Sequence, residues 1–155
     1  RLDGVTGVQT CALPICMGAS IGMARGAADA GYKYAFGVIG DSTFLHSGLT
    51  GIVDAVASKT PMTVIILDNS IVAMTGCQPT MLPSNQLEKA VIGLGVDPAH
   101  LRVIEAKPNM IEQNAAVFME EAEHRGLSVI IMVRECLEAH RLRKKKESAA
   151  GEASK

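Results

Sequence analysis

The sequence is poor in aromatic residues, with no Trp and only 3% Phe, Trp and Tyr together over 155 residues. A core built from it must be filled by Ile, Val, Leu, Met and Ala, and the eight methionines suit irregular gaps. Charge of one sign is scarce too, since 15 basic and 16 acidic side chains leave a net charge of −1. That balance gives no global electrostatic reason to bind nucleic acid. Cys11, Cys16, Cys77 and Cys136 form no CxxC pair and follow no metal-ligand spacing. This argues against zinc or an iron–sulfur cluster held by this chain alone, and for free thiols in a reducing cytosol. No run approaches the roughly 18 apolar residues that a membrane span needs, and no charged-then-apolar leader with a cleavage site is seen. The expectation is one domain in the cytoplasm, with no nucleic-acid or membrane partner.

Residues Arg1–Ile15, "RLDGVTGVQTCALPI", carry no helix or strand period and resemble translated sequencing-adapter read-through, so they are read as non-native. Residues 16–138 are expected to be the folded domain. From residue 139 onward apolar residues give way to charge, and 139–155 reads as a helix fraying into a disordered tail. Its basic run Arg141–Lys146 is read as solvated.

Between these ends, apolar runs and helical periods alternate. Gly18, Gly22 and Gly26 stand four apart, which places them on one face of a helix ended by Gly31 and predicts close approach of another element to that face. A short buried strand is expected over Tyr32–Gly40, then a helix over Ser47–Lys59. "MTVIILD" at Met62–Asp68 is nearly all apolar and rich in β-branched residues, the pattern of a strand buried on both faces of a parallel sheet. A loop from Asn69 leads to a helix from Ser84, read as its N-cap, to about Leu94. A strand over Leu101–Glu105, a helix from Pro108 to about Arg125 and a strand over Ser128–Arg134 complete the series. Strands that alternate with helices predict an α/β fold, a parallel sheet with helices on both faces and right-handed crossovers.

Two strand ends carry the chemistry. Asp41 follows one strand and Asp68–Asn69 the next, and in open parallel sheets ligands bind beyond the carboxyl ends of strands. The Asp41 carboxylate and the Asn69 amide oxygen are hard donors suited to Mg²⁺ or Ca²⁺. They are too few to enclose an ion, but they suit one that bridges to a diphosphate. Gly40 permits close backbone approach, and Ser42 and Thr43 offer hydroxyls and N–H groups where a helix dipole favours an anion. An N-cap and a turn residue are the plain alternatives for Asp41 and Asn69.

"GDS" at Gly40–Ser42, followed after 26 residues by Asn69, resembles the metal-and-diphosphate motif of thiamine-diphosphate enzymes. "CMGASIGMA", "VIGDSTFLHSG", "ILDNSIVAMTGCQP" and "SVIIMVREC", in that order over about Cys16–Cys136, resemble the thiamine-diphosphate domain of the indolepyruvate ferredoxin oxidoreductase alpha-subunit family. The resemblance implies a thiamin diphosphate-binding fold in which Asp41 and Asn69 are side-chain ligands of Mg²⁺ and Ile71 contributes its carbonyl. It implies that Gly40, Ser42 and Thr43 cradle the diphosphate, that Thr75, Gly76 and Gln78 belong to the loop over the cofactor, and that Met17 and Gly18 lie near its pyrimidine end. Ser42 replaces the general motif's second glycine and fits this subfamily. His46 sits just past the motif and is placed with the cofactor-binding residues, or else it is a helix-start histidine bonded to backbone or water.

The implied reaction is oxidative decarboxylation of an aryl 2-oxoacid such as indolepyruvate, with ferredoxin accepting electrons and coenzyme A the acyl group. The activating glutamate of that family lies on a separate pyrimidine-binding domain, which nothing in this sequence matches. The chain is therefore expected to be half of an active site that needs a pyrimidine-binding domain or subunit, in an oligomer whose partner surface lies near Gly18, Gly76 and the strand ends. Two other readings share the layout: a non-catalytic flavodoxin-like or nucleotide-binding module, and a relic that keeps the fold without its partner domain.

Overall fold

The computed structural model of the chain describes residues 17–72, 78–136, 139–141 and 144. Four parallel strands, β1 (Phe36–Gly40), β2 (Met62–Asp68), β5 (Leu101–Glu105) and β6 (Leu127–Val133), form one sheet in the order β1-β2-β6-β5. Helices α1 (Ala19–Asp29), α2 (Leu49–Ser58), α3 (Ser84–Gly93) and α4 (Ile111–Glu123) lie before and between them. After β2 a two-residue antiparallel pair, β3 (Ile71–Val72) with β4 (Gln78–Pro79), makes a small second sheet. The expected α/β architecture is the observed one.

Register explains how the layers divide. Residues paired across parallel strands share a face, so Ile39, Ile66 and Ile131 point one way while Val38, Ile65 and Ile130 point the other. The first face is the core: Ile39, Val64, Ile66, Val129 and Ile131 are buried with Ile21 and Ala24 of α1, Ile52 and Ala55 of α2, and Leu87 and Val91 of α3. The second face is met by α4, whose Glu121 carbonyl accepts the hydroxyls of Thr63 and Ser128 at 3.3 Å each. Away from α4 this face is open, and Phe36, Val38 and Leu67 are 37%, 44% and 44% exposed. The expectation that β2 is buried on both faces thus holds over most of its length and fails at Leu67.

Other boundaries moved for identifiable reasons. The helical run after β1 starts at Asp41, ahead of the expected Ser47, with a first turn Asp41–Thr43 and a π-helical stretch Phe44–Gly48. Burial of Phe44 and Leu45 accounts for the early start. Ser84 is the first residue of α3 and not its cap, a place Pro83 takes with extended backbone. The glycine face of α1 is a correction as well: a Cβ at Gly22 or Gly26 would meet no atom within 4 Å. Close approach occurs instead where Ile21 meets Gly48 and Gly51 of the next helical run, and where Gly18 meets Ser47.

In the tail, residues 139–141 and 144 are helical, and the His140 N–H donates to the Cys136 carbonyl at 3.0 Å. Among the described residues no helix is long and apolar enough to cross a membrane.

Candidate functional site

Parallel pairing of β1 with β2, ending at Gly40 opposite Leu67, brings the next residues, Asp41 and Asp68, side by side at the carboxyl edge of the sheet. Both are buried. Asp41 Oδ1 accepts the Ser42 N–H at 2.6 Å, and Oδ2 accepts the N–H groups of Ser70 at 2.9 Å and Asn69 at 3.3 Å. One carboxylate therefore ties the start of the helical run to the loop that leaves β2.

That loop makes a tight turn of its own. Ser70 stands at φ 62°, a left-handed conformation that short polar side chains tolerate through local hydrogen bonds. Asp68 Oδ1 supplies them, accepting the Ser70 N–H at 3.0 Å and its hydroxyl at 3.4 Å. Asn69 Oδ1 accepts the Ile71 N–H at 3.0 Å, an Asx turn that fixes the amide plane. The Ser70 hydroxyl also meets that of Ser84 at 2.6 Å, joining the loop to the start of α3.

Electrostatics mark the same corner. Burial raises the Asp41 pKa above the ordinary aspartate range; the Ser42 and Ser70 N–H groups pull it back, and the adjacent Asp68 carboxylate pushes it up again. Asp68 Oδ2 is buried and has no hydrogen-bond partner.

Around this corner the other expected residues take distinct places. A Cβ at Gly40 would meet no atom within 4 Å, so the strand end is open there. Ser42 and Thr43 occupy the first turn, where helical N–H groups lack intrahelical acceptors. Gly18, at φ 85°, lies against Ser47, where a Cβ would come within 2.7 Å of the Ser47 Cβ. His46 is exposed in the π-helical stretch and hydrogen-bonds the Ser47 hydroxyl. Met17 is exposed beside Gly18, and Gln78 is exposed in β4. Thr75, Gly76 and Cys77 lie outside the described residues.

A family model described as the thiamine pyrophosphate enzyme C-terminal TPP binding domain matches residues 4–132. The chain belongs to this family. Among curated proteins, indolepyruvate oxidoreductase subunit IorA of Archaeoglobus fulgidus is 31% identical over 134 residues, which are 80% of this chain and 21% of that subunit. IorA of Pyrococcus abyssi is 29% identical over 152 residues, 83% of this chain and 23% of the subunit. The chain thus spans about a fifth of the length of the curated relatives it matches. Solved structures share the fold: a 2-oxoglutarate:ferredoxin oxidoreductase from Magnetococcus marinus with 2-oxoglutarate, coenzyme A and succinyl-CoA bound has a TM-score of 0.61 at 17% identity over 77% of this chain and 46% of its own. A thiamine diphosphate-dependent 4-hydroxybenzoylformate decarboxylase of Rhodococcus jostii RHA1 has 0.55 at 20% identity, over 77% of this chain and 23% of its own.

The residues of this thiamine pyrophosphate enzyme domain suit a bridging cation. Carboxylate and amide oxygens each have more than one acceptor site, so Asp41 and Asn69 keep capacity beyond the N–H groups they now bind. The orphaned oxygen of Asp68 beside Asp41 marks a place where negative charge lacks a partner. Among the described residues no three His, Cys, Asp or Glu side chains gather as a metal cage. A cation here must draw most of its ligands from elsewhere, as Mg²⁺ does when it binds phosphate. Sequence reasoning placed Asp68 at the strand end and gave it no role.

Proposed function

We propose that the chain is the diphosphate- and Mg²⁺-binding half of a thiamine-diphosphate-dependent 2-oxoacid:ferredoxin oxidoreductase of the indolepyruvate type. The observation that carries this reading is the bond from the Asn69 N–H to the Asp41 carboxylate, which joins the two halves of the motif across adjacent strand ends. In this reading Asp41, the Asn69 amide oxygen and the Ile71 carbonyl hold Mg²⁺. Gly40, Ser42 and Thr43 receive the diphosphate at the open strand end, where N–H groups and the helix dipole favour an anion. His46 and Met17–Gly18 border the cofactor, and Thr75, Gly76 and Gln78 cover it.

When bound, the cofactor supplies an electron sink for decarboxylation of the 2-oxoacid. The chain's own residues bind and orient it, and buried Asp41 is already fixed by three N–H groups before any ligand arrives. The remaining parts of the reading are an aryl 2-oxoacid substrate, coenzyme A and ferredoxin as co-substrates of the whole enzyme, a pyrimidine-binding domain or subunit that brings the activating glutamate, an oligomeric assembly and a cytoplasmic place of work. The names of the IorA relatives support the aryl 2-oxoacid and an assembly of subunits, and their greater length supports a further domain.

Isothermal titration of thiamine diphosphate into the chain tests the reading, with Mg²⁺, with EDTA, and with Asp41→Ala in parallel. Heat that requires Mg²⁺ and vanishes in the variant is the expected result. No heat in folded wild-type chain, even after a relative's pyrimidine-binding domain is added, overturns it.

A further inference from the structure

We infer that Asp68 is a second carboxylate of the cation site, adding its negative charge to the Mg²⁺ held by Asp41 and Asn69 and doubling the protein's charge there. The inference rests on the reading that Asp41 and Asn69 hold the metal and goes beyond it, because Asp68 is not in that ligand set.

Three observations lead to it. Asp68 is 2% exposed, and its Oδ2 has no hydrogen-bond partner. Strand register sets this carboxylate next to Asp41, which is also buried. The ion pairs among the described residues lie elsewhere, at Arg25–Asp54, Arg102–Glu121 and Lys107–Glu105 among others, and none brings a cationic side chain to either acid. Two adjacent buried carboxylates with no ion-pair partner among the described residues are costly, and the cost falls when they share a proton or when a divalent cation sits beside both.

A simpler role has to be separated from this one. Asp68 Oδ1 also caps the Ser70 turn, so Asp68 could serve local structure alone. The two roles predict opposite effects of Asp68→Asn. Asparagine keeps an oxygen for the Ser70 N–H and turns an amide toward Asp41, which removes the repulsion. If Asp68 serves the cation, the variant without metal is as stable as wild type or more so, yet holds metal less well. If Asp68 only caps the turn, the variant is less stable or its metal affinity is unchanged.

The experiment uses the full chain as wild type, Asp68→Asn and Asp41→Asn. Mn²⁺ with inorganic diphosphate is the probe: its affinity is read from the electron paramagnetic resonance signal of the free aquo ion against the same mixture without protein, and the thermal midpoint is measured without metal. Asp68→Asn is expected to weaken Mn²⁺ binding by about tenfold or more, the size found for groups that support a metal's ligands, with a midpoint equal to or above wild type. Unchanged affinity overturns the inference, and so does weakened affinity with a lowered midpoint. Asp41→Asn keeps the two failures apart. If it abolishes Mn²⁺ binding while Asp68→Asn does not weaken it, only the role of Asp68 falls. If Asp41→Asn leaves affinity intact, or wild type holds no Mn²⁺, the metal-site reading falls with it.

Discussion

Asp41 Oδ2 and the Ser70 N–H, 2.9 Å apart, join the end of one strand to the turn beyond its neighbour. The bond offsets part of the cost of keeping a carboxylate in a buried place, a burial that is the chief cause of its raised pKa. A group with a raised folded-state pKa contributes stability that is complete below its unfolded value and lost as pH rises through the folded one. Metal-free chain is therefore expected to lose the Asp41 contribution as pH rises from about 4, the ordinary aspartate range. Mg²⁺ should reduce the loss. Denaturant unfolding from pH 4 to 7, with and without Mg²⁺, checks both slopes against Asp41→Asn.

Two glycines four residues apart in α1 and its cap should respond with opposite sign. At Gly18 a methyl group meets Ser47 atoms at 2.7–2.8 Å and the backbone sits at φ 85°, so Gly18→Ala is expected to destabilise by about 1–3 kcal/mol. It should also weaken thiamine diphosphate binding, because it displaces Ser47 and His46. At Gly22 nothing lies within 4 Å, and Gly22→Ala should stabilise by about 0.5–1 kcal/mol through helix propensity. Urea midpoints of the two variants decide the matter.

At the opposite edge of the sheet, Glu121 is fully buried and meets Arg102 Nε at 2.7 Å and His100 Nδ1 at 3.0 Å. Burial acts to raise its pKa, and the hydrogen bonds from His100 and Ser128 with the Arg102 charge outweigh it and hold the acid below its usual range. Glu121→Ala removes the buried acceptor of Arg102 Nε and His100 Nδ1 and should cost about 3 kcal/mol. Thermal unfolding at pH 7 measures it; a shift indistinguishable from zero contradicts the account.

His124 stacks on His100 with ring centroids 3.4 Å apart. Its pKa is lowered by burial first and by the His100 charge second. The folded state thus resists protonation that the unfolded state accepts, so stability should decline as pH falls below about 6.5, the ordinary histidine value. His124→Gln should flatten that slope while leaving the metal-free Asp41 slope in place. Unfolding curves across pH 5–7.5 separate the two.

What was legible in the sequence follows from what local pattern can encode. β2 was read to the residue and β5 to its place, since a β-branched apolar run ended by Asp68 and a short run ended by Glu105 carry their own limits. The place of Asp41 and Asn69 at neighbouring strand ends was legible because polar residues that follow apolar runs in a parallel sheet mark the carboxyl edge. The start of the helical run at Asp41 was not, because "DSTFLHSG" has weak helix propensity and is held helical by long-range burial of Phe44 and Leu45. The glycine face of α1 misled for the converse reason: four-residue spacing names a face but not what stands opposite. Asp68 escaped assignment because its meaning depends on register with β1, which no single stretch contains.

The π-helical stretch Phe44–Gly48 makes the helical run after β1 wider by part of a turn, as if one residue had been inserted between its first turn and α2. It acts as a phase adjuster. Upstream, it lets Asp41 point at the Ser70 turn; downstream, it lets Ile52 and Ala55 face the core. Each α-helical residue advances about 100° around the axis, so losing one residue here would leave a regular helix with its two ends out of step. A one-residue deletion across this stretch would therefore turn either Asp41 away from the Ser70 turn or Ile52 and Ala55 away from the core.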